Sequence, residues 1–222
     1  KDIIILKNKD KEKIGTATNF WGQSQVLPKG NKGKIGTVPK VAVPIITHFK
    51  DRTKAFIKIQ DGCDNFCSYC KVPYVRGLPK SRNKDEIINE AETLIKNNYK
   101  ELVLTGVCLG AYGKDLDNRI RLKDILEQIS SLQGDFRIRL SSIELQDIDD
   151  DLIELIKNSD NICKHLHIPL QSGDYEILKK MNRPYTIEHY KNLVKKFRTA
   201  FAKIRGKFVP ISVSTDVIDG FP

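Results

Sequence analysis

Three cysteines within eight residues are the group in this 222-residue chain best suited to chemistry. Cys63, Cys67 and Cys70 lie in the segment Cys63-Asp64-Asn65-Phe66-Cys67-Ser68-Tyr69-Cys70, with the spacing C-x3-C-x2-C. Three thiolates on one loop can bind three corners of a cubane [4Fe–4S] cluster and leave its fourth iron open to an outside molecule. Gly62 precedes the first cysteine and lets the backbone bend close to the metal. The segment therefore predicts a cluster with one open iron.

A structural zinc site is the alternative use of these thiols. Such a site takes four protein ligands, so the fourth would come from Cys163 or from a histidine. The chain has five cysteines in all, and Cys108 and Cys163 stand alone. An odd number of cysteines without a secretory signal is typical of reduced thiols in the cytoplasm, which is the expected location.

Short apolar segments alternate with amphipathic ones from residue 55 onward, and this order predicts an α/β fold. The predicted strands are residues 55–59, 101–107, 136–140, 165–170 and 209–217. Apolar residues at helical spacing predict one helix in each of the first three intervals between them and two helices in the last. Such crossovers join parallel strands with a right-handed connection. We therefore expect a partial TIM-type (β/α) barrel, with a doubly wound sheet as the alternative. In both folds the chemistry lies at the C-terminal ends of the strands, where the first strand leads into the cysteines.

The positive charge is concentrated at the beginning of the chain. Residues 1–54 carry twelve Lys and Arg against four Asp and Glu, whereas the rest of the chain is nearly balanced, within a formal net charge of +10. A phosphate-rich partner is one interpretation of this asymmetry and a solvated linker is the other. Residues 15–51, rich in Gly, Lys and Pro, are predicted to be a basic linker. No run of 18 apolar residues occurs, so no membrane partner is expected.

Several further segments, together with the cysteines, resemble the radical S-adenosylmethionine (SAM) methylthiotransferase family. The resemblance covers residues 52–222 and extends over motifs in the family's order. The region Leu104-Thr105-Gly106-Val107-Cys108-Leu109-Gly110 is most similar to the MtaB-type branch, although Cys108 departs from that branch's pattern. The matching segments are Asp61–Cys63, 73–77, 81–82, 140–144, 165–173, 178–186 and 215–222.

The resemblance implies a radical SAM core with two cofactors, a [4Fe–4S] cluster on Cys63, Cys67 and Cys70, and SAM on the open iron. Tyr69 would contact the adenine of SAM, Gly106 would let the backbone approach its methionine part, and Glu144 and Gln171 would make polar contacts to it. A turn glycine at position 106 and polar residues without a ligand at positions 144 and 171 are the alternatives. No catalytic residue beyond the cluster ligands is assigned.

The activity implied by the MtaB-type branch is addition of a methylthio group to C2 of N6-threonylcarbamoyladenosine at position 37 of tRNA. The expected partners are the tRNA anticodon stem-loop and an electron donor such as flavodoxin or ferredoxin. The alternatives are a methylthiotransferase for isopentenyladenosine in tRNA or for a ribosomal protein, and a catalytically silent metal- or RNA-binding module. The oligomeric state stays open.

Residues 1–14 resemble the tail of an N-terminal methylthiotransferase domain. In the family that domain holds a second [4Fe–4S] cluster, whereas no cysteine precedes Cys63 here. The family resemblance implies more barrel and a small β-domain beyond the position of Pro222, so we expect the radical SAM core at 52–222 to be incomplete. We therefore expect this chain alone to bind one cluster but not to complete methylthiolation.

Four other residues carry open alternatives. Arg76 and Arg82 follow the cysteine segment and are expected to meet either a phosphate or SAM carboxylate, or a surface ion-pair partner. His165 and His167 share one face of their strand, which suits a metal pair or packing inside the barrel.

Overall fold

A computed structural model describes residues 53–117, 120–201 and 211–222. The predicted tail at 1–14 and the predicted basic linker at 15–51 lie outside these residues, as do positions 209 and 210 of the last predicted strand. The described part consists of α-helices, strands and two short 3₁₀ turns. The strands are β1 Lys54–Lys58, β2 Gln60–Asp61, β3 Lys80–Ser81, β4 Glu101–Thr105, β5 Arg137–Leu140, β6 His165–His167 and β7 Ser212–Ser214. The helices are α1 Val72–Arg76, α2 Lys84–Lys96, α3 Leu122–Ser130, α4 Asp150–Asn158, α5 Tyr175–Lys180 and α6 Ile187–Phe201.

The five longer strands form a curved parallel sheet. β1, β4 and β5 pair in that order, and β6 pairs with β7. Two isolated parallel bridges, Ile138 to Ile162 and Ser142 to His167, put β6 beside β5. The order β1-β4-β5-β6-β7 contains no reversal, which a doubly wound sheet would require. No pairing joins β7 to β1 in the part of the chain that the structure describes, so the predicted partial barrel is confirmed.

Alternation along β1 separates a fully buried outer face from a more exposed inner face. In β1, Ala55 and Ile57 are fully buried, while Phe56 between them is partly exposed. Because successive side chains of a strand point to opposite faces, one face packs against helices and the other lines the inside of the barrel. The helices pack side by side in the order α2, α3, α4, α6 over the outer face. The core comprises the strand residues Ala55, Ile57, Leu102, Leu104, Ile138 and Leu140 and the helix residues Ile87, Leu94, Ile125, Leu126, Ile156, Phe197 and Phe201.

Two features near the cysteines do not follow from the apolar pattern. β2 and β3 form a two-residue antiparallel pair, with Gln60 opposite Ser81 and Asp61 opposite Lys80, and the one-and-a-half-turn helix α1 lies between them along the chain. Segments this short carry too few apolar residues to show a period. The β2–β3 pair closes the base of the segment that contains the three cysteines.

None of the helices in the described ranges is both long and apolar enough to cross a bilayer.

Candidate metal centre and cofactor site

The three cysteines lie on one loop, residues 62–70, which follows β2 at the C-terminal end of β1; we call it the cysteine loop. Its entry is fixed by Gly62, whose φ of 76° is left-handed. A Cβ at this position would stand 2.1 Å from the carbonyl oxygen of Leu78. Only glycine fits such a backbone and such an approach. The next residue, Cys63, donates its N–H to the carbonyl of Gly77 at 3.0 Å, so the returning chain holds the first cysteine.

The segment after α5 holds the other end of the cysteine loop. The N–H of Ser68 donates to the carbonyl of Met181 at 3.1 Å, and its hydroxyl donates to the carbonyl of Lys180 at 2.8 Å. The side chain of Asn182 donates to the carbonyl of Phe66 at 2.9 Å, where the loop backbone has a φ of 48°. These bonds satisfy backbone groups that a loop without regular structure leaves open.

A second thiol lies against Cys63. Cys63, Cys108 and Ala111 form a small buried cluster, and the thiols of the two cysteines are hydrogen-bonded. This bond lowers the pKa of Cys63, against the opposite effect of burial, and it raises the pKa of Cys108. The backbone N–H of Asn65 also approaches the Cys63 sulfur, at 3.5 Å. Cys63 is therefore the member of the pair favoured as thiolate, which is the form that binds a metal.

The thiol of Cys67 has a cationic neighbour. Nη1 of Arg183 lies 3.2 Å from the sulfur of Cys67 and 3.2 Å from Oε1 of Glu144. Nη2 of Arg183 pairs with Oε2 of Glu144. Burial would lower the pKa of Arg183, but its pairing with Glu144 outweighs burial and raises it, so the guanidinium stays charged. A fixed positive charge therefore lies directly beside the sulfur of Cys67.

The aromatic residue of the cysteine loop lies at the other side of the same region. Tyr69 is half-buried, and its ring meets that of Phe221 edge to face, with centroids 6.3 Å apart. Burial raises the pKa of Tyr69, so it is a neutral phenol. The contact brings the residues that follow β7 next to the cysteine loop.

Gly106, the predicted backbone contact to SAM, directly follows β4. A Cβ at this position would stand 3.0 Å from Oε1 of Gln60 and 3.2 Å from Cα of Leu109. The close neighbours of this glycine are thus the buried Gln60 side chain and the following 3₁₀ turn. Sequence reasoning missed Gln60, which is 2% exposed and accepts the N–H of Cys108 at 2.8 Å.

Glu144 and Gln171, the two predicted polar contacts, follow β5 and β6. Glu144 reaches the cysteine loop through Arg183. Gln171 has a left-handed φ of 65°, and its backbone N–H and carbonyl bond to the carbonyl of Asp216 at 2.9 Å and to the N–H of Ile218 at 2.8 Å. The four residues predicted to contact SAM all lie at the C-terminal edge of the parallel sheet; they are Tyr69, Gly106, Glu144 and Gln171. Direct contacts join only Glu144 and Tyr69 to the surroundings of Cys67.

The donor set of the cysteine loop fits a [4Fe–4S] cluster. The described residues contain no set of three His, Cys, Asp or Glu side chains that converges on a single metal ion. Thiolates around a cubane bind different irons and need not converge on one point. The sulfurs of Cys63 and Cys67 each have an N–H donor, from Asn65 and Arg183, as protein ligands of such clusters commonly have.

Cys163 cannot complete a zinc site with these thiols. It precedes β6 and bonds through its N–H to the carbonyl of Ile138, on the N-terminal side of the sheet. The cysteine loop lies at the C-terminal ends of the strands. The two groups therefore stand at opposite edges, which removes Cys163 as the fourth ligand and leaves a histidine as the other ligand that the zinc interpretation names.

The two arginines after the cysteine loop have different surroundings. Arg76 is exposed and lies 3.6 Å from the carboxylate of Asp61, which is a surface ion pair. The side chain of Arg82 is only 7% exposed, and its Nη1 pairs with the equally buried Glu90. Nε of Arg82 also lies 3.4 Å from the exposed carboxylate of Glu86, so Arg82 forms ion pairs with both a buried and an exposed glutamate of α2.

His165 and His167 are joined through Ser214 of the neighbouring strand. Nε2 of His165 and Nδ1 of His167 each lie 2.9 Å from the Ser214 hydroxyl, and Nε2 of His167 lies 3.1 Å from the carboxylate of Asp216. The carboxylate selects the tautomer of His167 that carries its proton on Nε2. In the described residues the two histidines thus share a hydroxyl in a polar chain across β6 and β7.

Arg183 is the main site residue that sequence reasoning missed. It lies in the segment Met181-Asn182-Arg183-Pro184-Tyr185, which the family resemblance singled out without assigning a role. A positive charge directly after a short helix and before a proline was the available signal. Its contact with Cys67 joins positions 116 residues apart, which no local pattern reveals.

Comparison with known proteins identifies the fold and the family. Residues 57–222 match the Radical SAM superfamily. Two solved structures share the fold. The radical SAM methyltransferase TsrM from Kitasatospora setae has a TM-score of 0.58 at 17% identity, over 76% of this chain and 31% of that one. The cobalamin-dependent radical enzyme OxsB has a TM-score of 0.57 at 13% identity, over 73% of this chain and 23% of that one.

Curated relatives are more similar in sequence. The threonylcarbamoyladenosine tRNA methylthiotransferase MtaB of Bacillus subtilis is 39% identical over 221 residues, which are 99% of this chain and 47% of that protein. The tRNA-2-methylthio-N(6)-dimethylallyladenosine synthase of Clostridium tetani is 42% identical over 173 residues, 78% of this chain and 37% of that protein. The chain thus spans less than half the length of these relatives. The partial barrel, the loop of three cysteines and these matches together show that the chain belongs to the radical SAM superfamily, in which it is similar to the tRNA methylthiotransferases.

Proposed function

We propose that this chain is the radical SAM core of a tRNA methylthiotransferase that modifies C2 of N6-threonylcarbamoyladenosine at position 37. The observation that carries the proposal is the match to the Bacillus MtaB protein, which extends over 99% of this chain. The dimethylallyladenosine synthases match 76–78% of it. The basic residues 1–54 add support for a phosphate-rich substrate, because tRNA binding draws on Lys and Arg.

In this proposal Cys63, Cys67 and Cys70 hold the cluster, and SAM binds at the open iron. When bound, the cluster supplies the electron that cleaves SAM reductively and starts the radical reaction. The half-buried Tyr69 presents a neutral aromatic edge for the adenine of SAM. Glu144, held on both oxygens by Arg183, offers a carboxylate to the amino group of SAM.

The remaining partners are proposals as well. An electron donor of the flavodoxin or ferredoxin type would reduce the cluster, and the tRNA anticodon stem-loop would present the target base. A second [4Fe–4S] cluster would be held by a domain outside these residues. A tRNA substrate and reduced thiols agree with a cytoplasmic protein.

The direct test is a chimera in which this chain replaces the matched 221 residues of the Bacillus MtaB protein, expressed in cells that lack that protein. We expect mass spectrometry of tRNA nucleosides to show the methylthio form of threonylcarbamoyladenosine. A chimera with Cys67→Ala is the matched control and should show none. An active control chimera, or an inactive chimera that contains a full cluster and cleaves SAM, would contradict the proposal.

A second candidate substrate has its own support. The dimethylallyladenosine synthases reach 42–44% identity, somewhat above MtaB, although over a shorter part of the chain. The same experiment in cells that also lack their own dimethylallyladenosine synthase separates the two. Methylthiolated dimethylallyladenosine without the threonylcarbamoyl product would favour this second branch.

A silent metal- or RNA-binding module differs from the enzyme in its metal content. After anaerobic reconstitution the enzyme core should hold about four irons per chain and change its visible spectrum when SAM is added. One zinc per chain with no response to SAM would favour the module.

A further inference from the structure

The guanidinium of Arg183 is one of the most completely satisfied buried charges near the cysteine loop. Its side chain is 2% exposed. Nε donates to the hydroxyl of Tyr185 at 3.1 Å, and both terminal nitrogens bind the carboxylate of Glu144. The fork geometry of the guanidinium matches a carboxylate held on two oxygens. Three N–H groups of Arg183 therefore form hydrogen bonds with Tyr185 and Glu144, and these bonds involve protein groups only.

Tyr185 holds the guanidinium of Arg183 in place. Its hydroxyl donates to the carbonyls of Pro169 and Leu170, both at 2.9 Å, and its ring lies 4.9 Å from the Arg183 guanidinium carbon. The segment after β6 therefore anchors the tyrosine, and the tyrosine anchors the arginine. With its other partners set in this way, Nη1 is left directed at the sulfur of Cys67, 3.2 Å away.

We propose that Arg183 is a positioning residue that donates an N–H···S hydrogen bond to the cluster ligand Cys67 and thereby raises the reduction potential of the cluster. The inference rests on the proposed function, since it requires the cluster. Hydrogen bonds and positive charge at a ligand sulfur stabilise the more negative, reduced state of an iron–sulfur centre. Because the same guanidinium holds Glu144, the potential of the cluster and the carboxylate proposed for SAM are set by one side chain.

The contact differs from that of Cys63. The sulfur of Cys63 meets a backbone N–H and a neutral thiol, whereas that of Cys67 meets a full positive charge. Substitution of Arg183 by a neutral residue should therefore remove both a hydrogen bond and a positive charge from the surroundings of the cluster. Loss of the backbone N–H donor at Cys63 would remove a hydrogen bond alone. A purely structural ion pair between Arg183 and Glu144 would stabilise the fold but leave the potential of the cluster unchanged.

The test is a redox titration of the reconstituted chain, followed by electron paramagnetic resonance, on wild type, R183M and R183K. R183M should keep about four irons per chain and show a more negative midpoint potential. R183K keeps the positive charge but not the planar guanidinium with its several N–H donors. Its midpoint potential should therefore lie between those of wild type and R183M. R139M is the matched control, since Arg139 is another ion-paired arginine, bound to Glu101 at the opposite edge of the sheet. It should leave the potential at the wild-type value.

A second measurement covers the case in which R183M does not fold. Exchange into D₂O should shift the iron–sulfur stretching bands of the wild type in resonance Raman spectra through the exchangeable N–H, and R183K should show a smaller or absent shift. A wild-type potential in any folded Arg183 variant that holds its cluster would overturn the inference alone. A wild-type chain that assembles no cluster would overturn the proposed function, and this inference with it.

Discussion

Gln60 and Cys108 are joined across 48 residues by a hydrogen bond of 2.8 Å from the Cys108 backbone N–H to Gln60 Oε1. The amide nitrogen of the same side chain donates to the carbonyls of Asp61 and Gly62, both at 2.8 Å. One buried side chain therefore ties the start of the cysteine loop to the segment after β4. Because the Gln60 amide makes three hydrogen bonds, the backbone at Cys63, which directly follows Gly62, has little freedom to move.

Replacing this amide should loosen the cysteine loop. Q60L leaves a buried N–H and two carbonyls without their partner, and we expect a loss of about 2–4 kcal/mol in the free energy of unfolding. Urea denaturation followed by circular dichroism measures it. Q133L, at an exposed glutamine, is the matched control and should change stability by less than about 0.5 kcal/mol. Equal effects of the two substitutions would contradict this role for Gln60.

Gly62 should be intolerant of any side chain. G62A combines a left-handed backbone with a Cβ 2.1 Å from the carbonyl oxygen of Leu78, and we expect a loss of at least about 2 kcal/mol. Two other glycines separate the causes. Gly220 has a similar φ of 72° with nothing near its Cβ, so G220A should lose about 1 kcal/mol from strain alone. Gly173 has open space and no left-handed φ, so G173A should be neutral in thermal unfolding.

The buried pair of Arg82 and Glu90 should matter more than an exposed pair of the same type. R82M leaves the carboxylate of Glu90 buried without this partner, which we expect to lower stability by about 3–5 kcal/mol. K96M breaks the exposed pair with Glu92, at 3.7 Å, and should cost less than about 1 kcal/mol. The double variant R82M/E90L should recover part of the loss. A double variant as unstable as R82M would show that the pair does not act as a unit.

Glu101 should make the fold sensitive to acid. Burial alone would raise its pKa, but hydrogen bonds from Arg139, Lys54 and Arg137 lower it to about 2, from 4.5. A carboxyl group with a lowered pKa in the folded state stabilises the fold fully above pH 4.5, and this contribution is lost as the pH falls toward 2. E101Q should be less stable near neutral pH and flatter in its stability between pH 5 and 2. Parallel curves for E101Q and wild type in urea denaturation would exclude this assignment.

The five cysteines should divide into ligands and non-ligands. C63A, C67A and C70A should each lower the iron content of the reconstituted chain below about four per molecule. C163A, at the opposite edge of the sheet, is the control and should keep it. C108A should also keep it, since Cys108 touches Cys63 as a thiol rather than as a thiolate. Loss of iron in C108A would instead make Cys108 a fourth ligand and close the open iron.

The fold follows largely from periodic patterns in the sequence. β1, β4, β5 and β6 start within one residue of their predicted positions, whereas β7 starts at Ser212 and the first two positions of its prediction lie outside the described residues. β4, β6 and β7 are shorter than predicted. The position at which a strand ends depends on pairing and packing with elements distant in sequence, which a local pattern does not contain. α1 and the β2–β3 pair were not predicted, because segments of two to five residues contain no complete period.

The positions of the candidate site residues also followed from the sequence, whereas their contacts did not. The cysteine spacing, Tyr69, Gly106, Glu144 and Gln171 were predicted from local motifs, and all of them lie at the C-terminal edge of the sheet because parallel strands end on one side. The roles of these residues toward the cluster and SAM stay predictions.

The amino-acid sequence by itself determined the loop of three thiols, the order of strands and helices, and the family, since each is written in spacing along the chain. Only the tertiary structure decided which charges meet. Arg82 forms a buried ion pair with Glu90 of α2, and Arg183 contacts the sulfur of Cys67, which lies 116 residues earlier in the chain. A buried charge takes the partner that the packed backbone brings within hydrogen-bond distance, and that distance is a property of the fold rather than of any local segment.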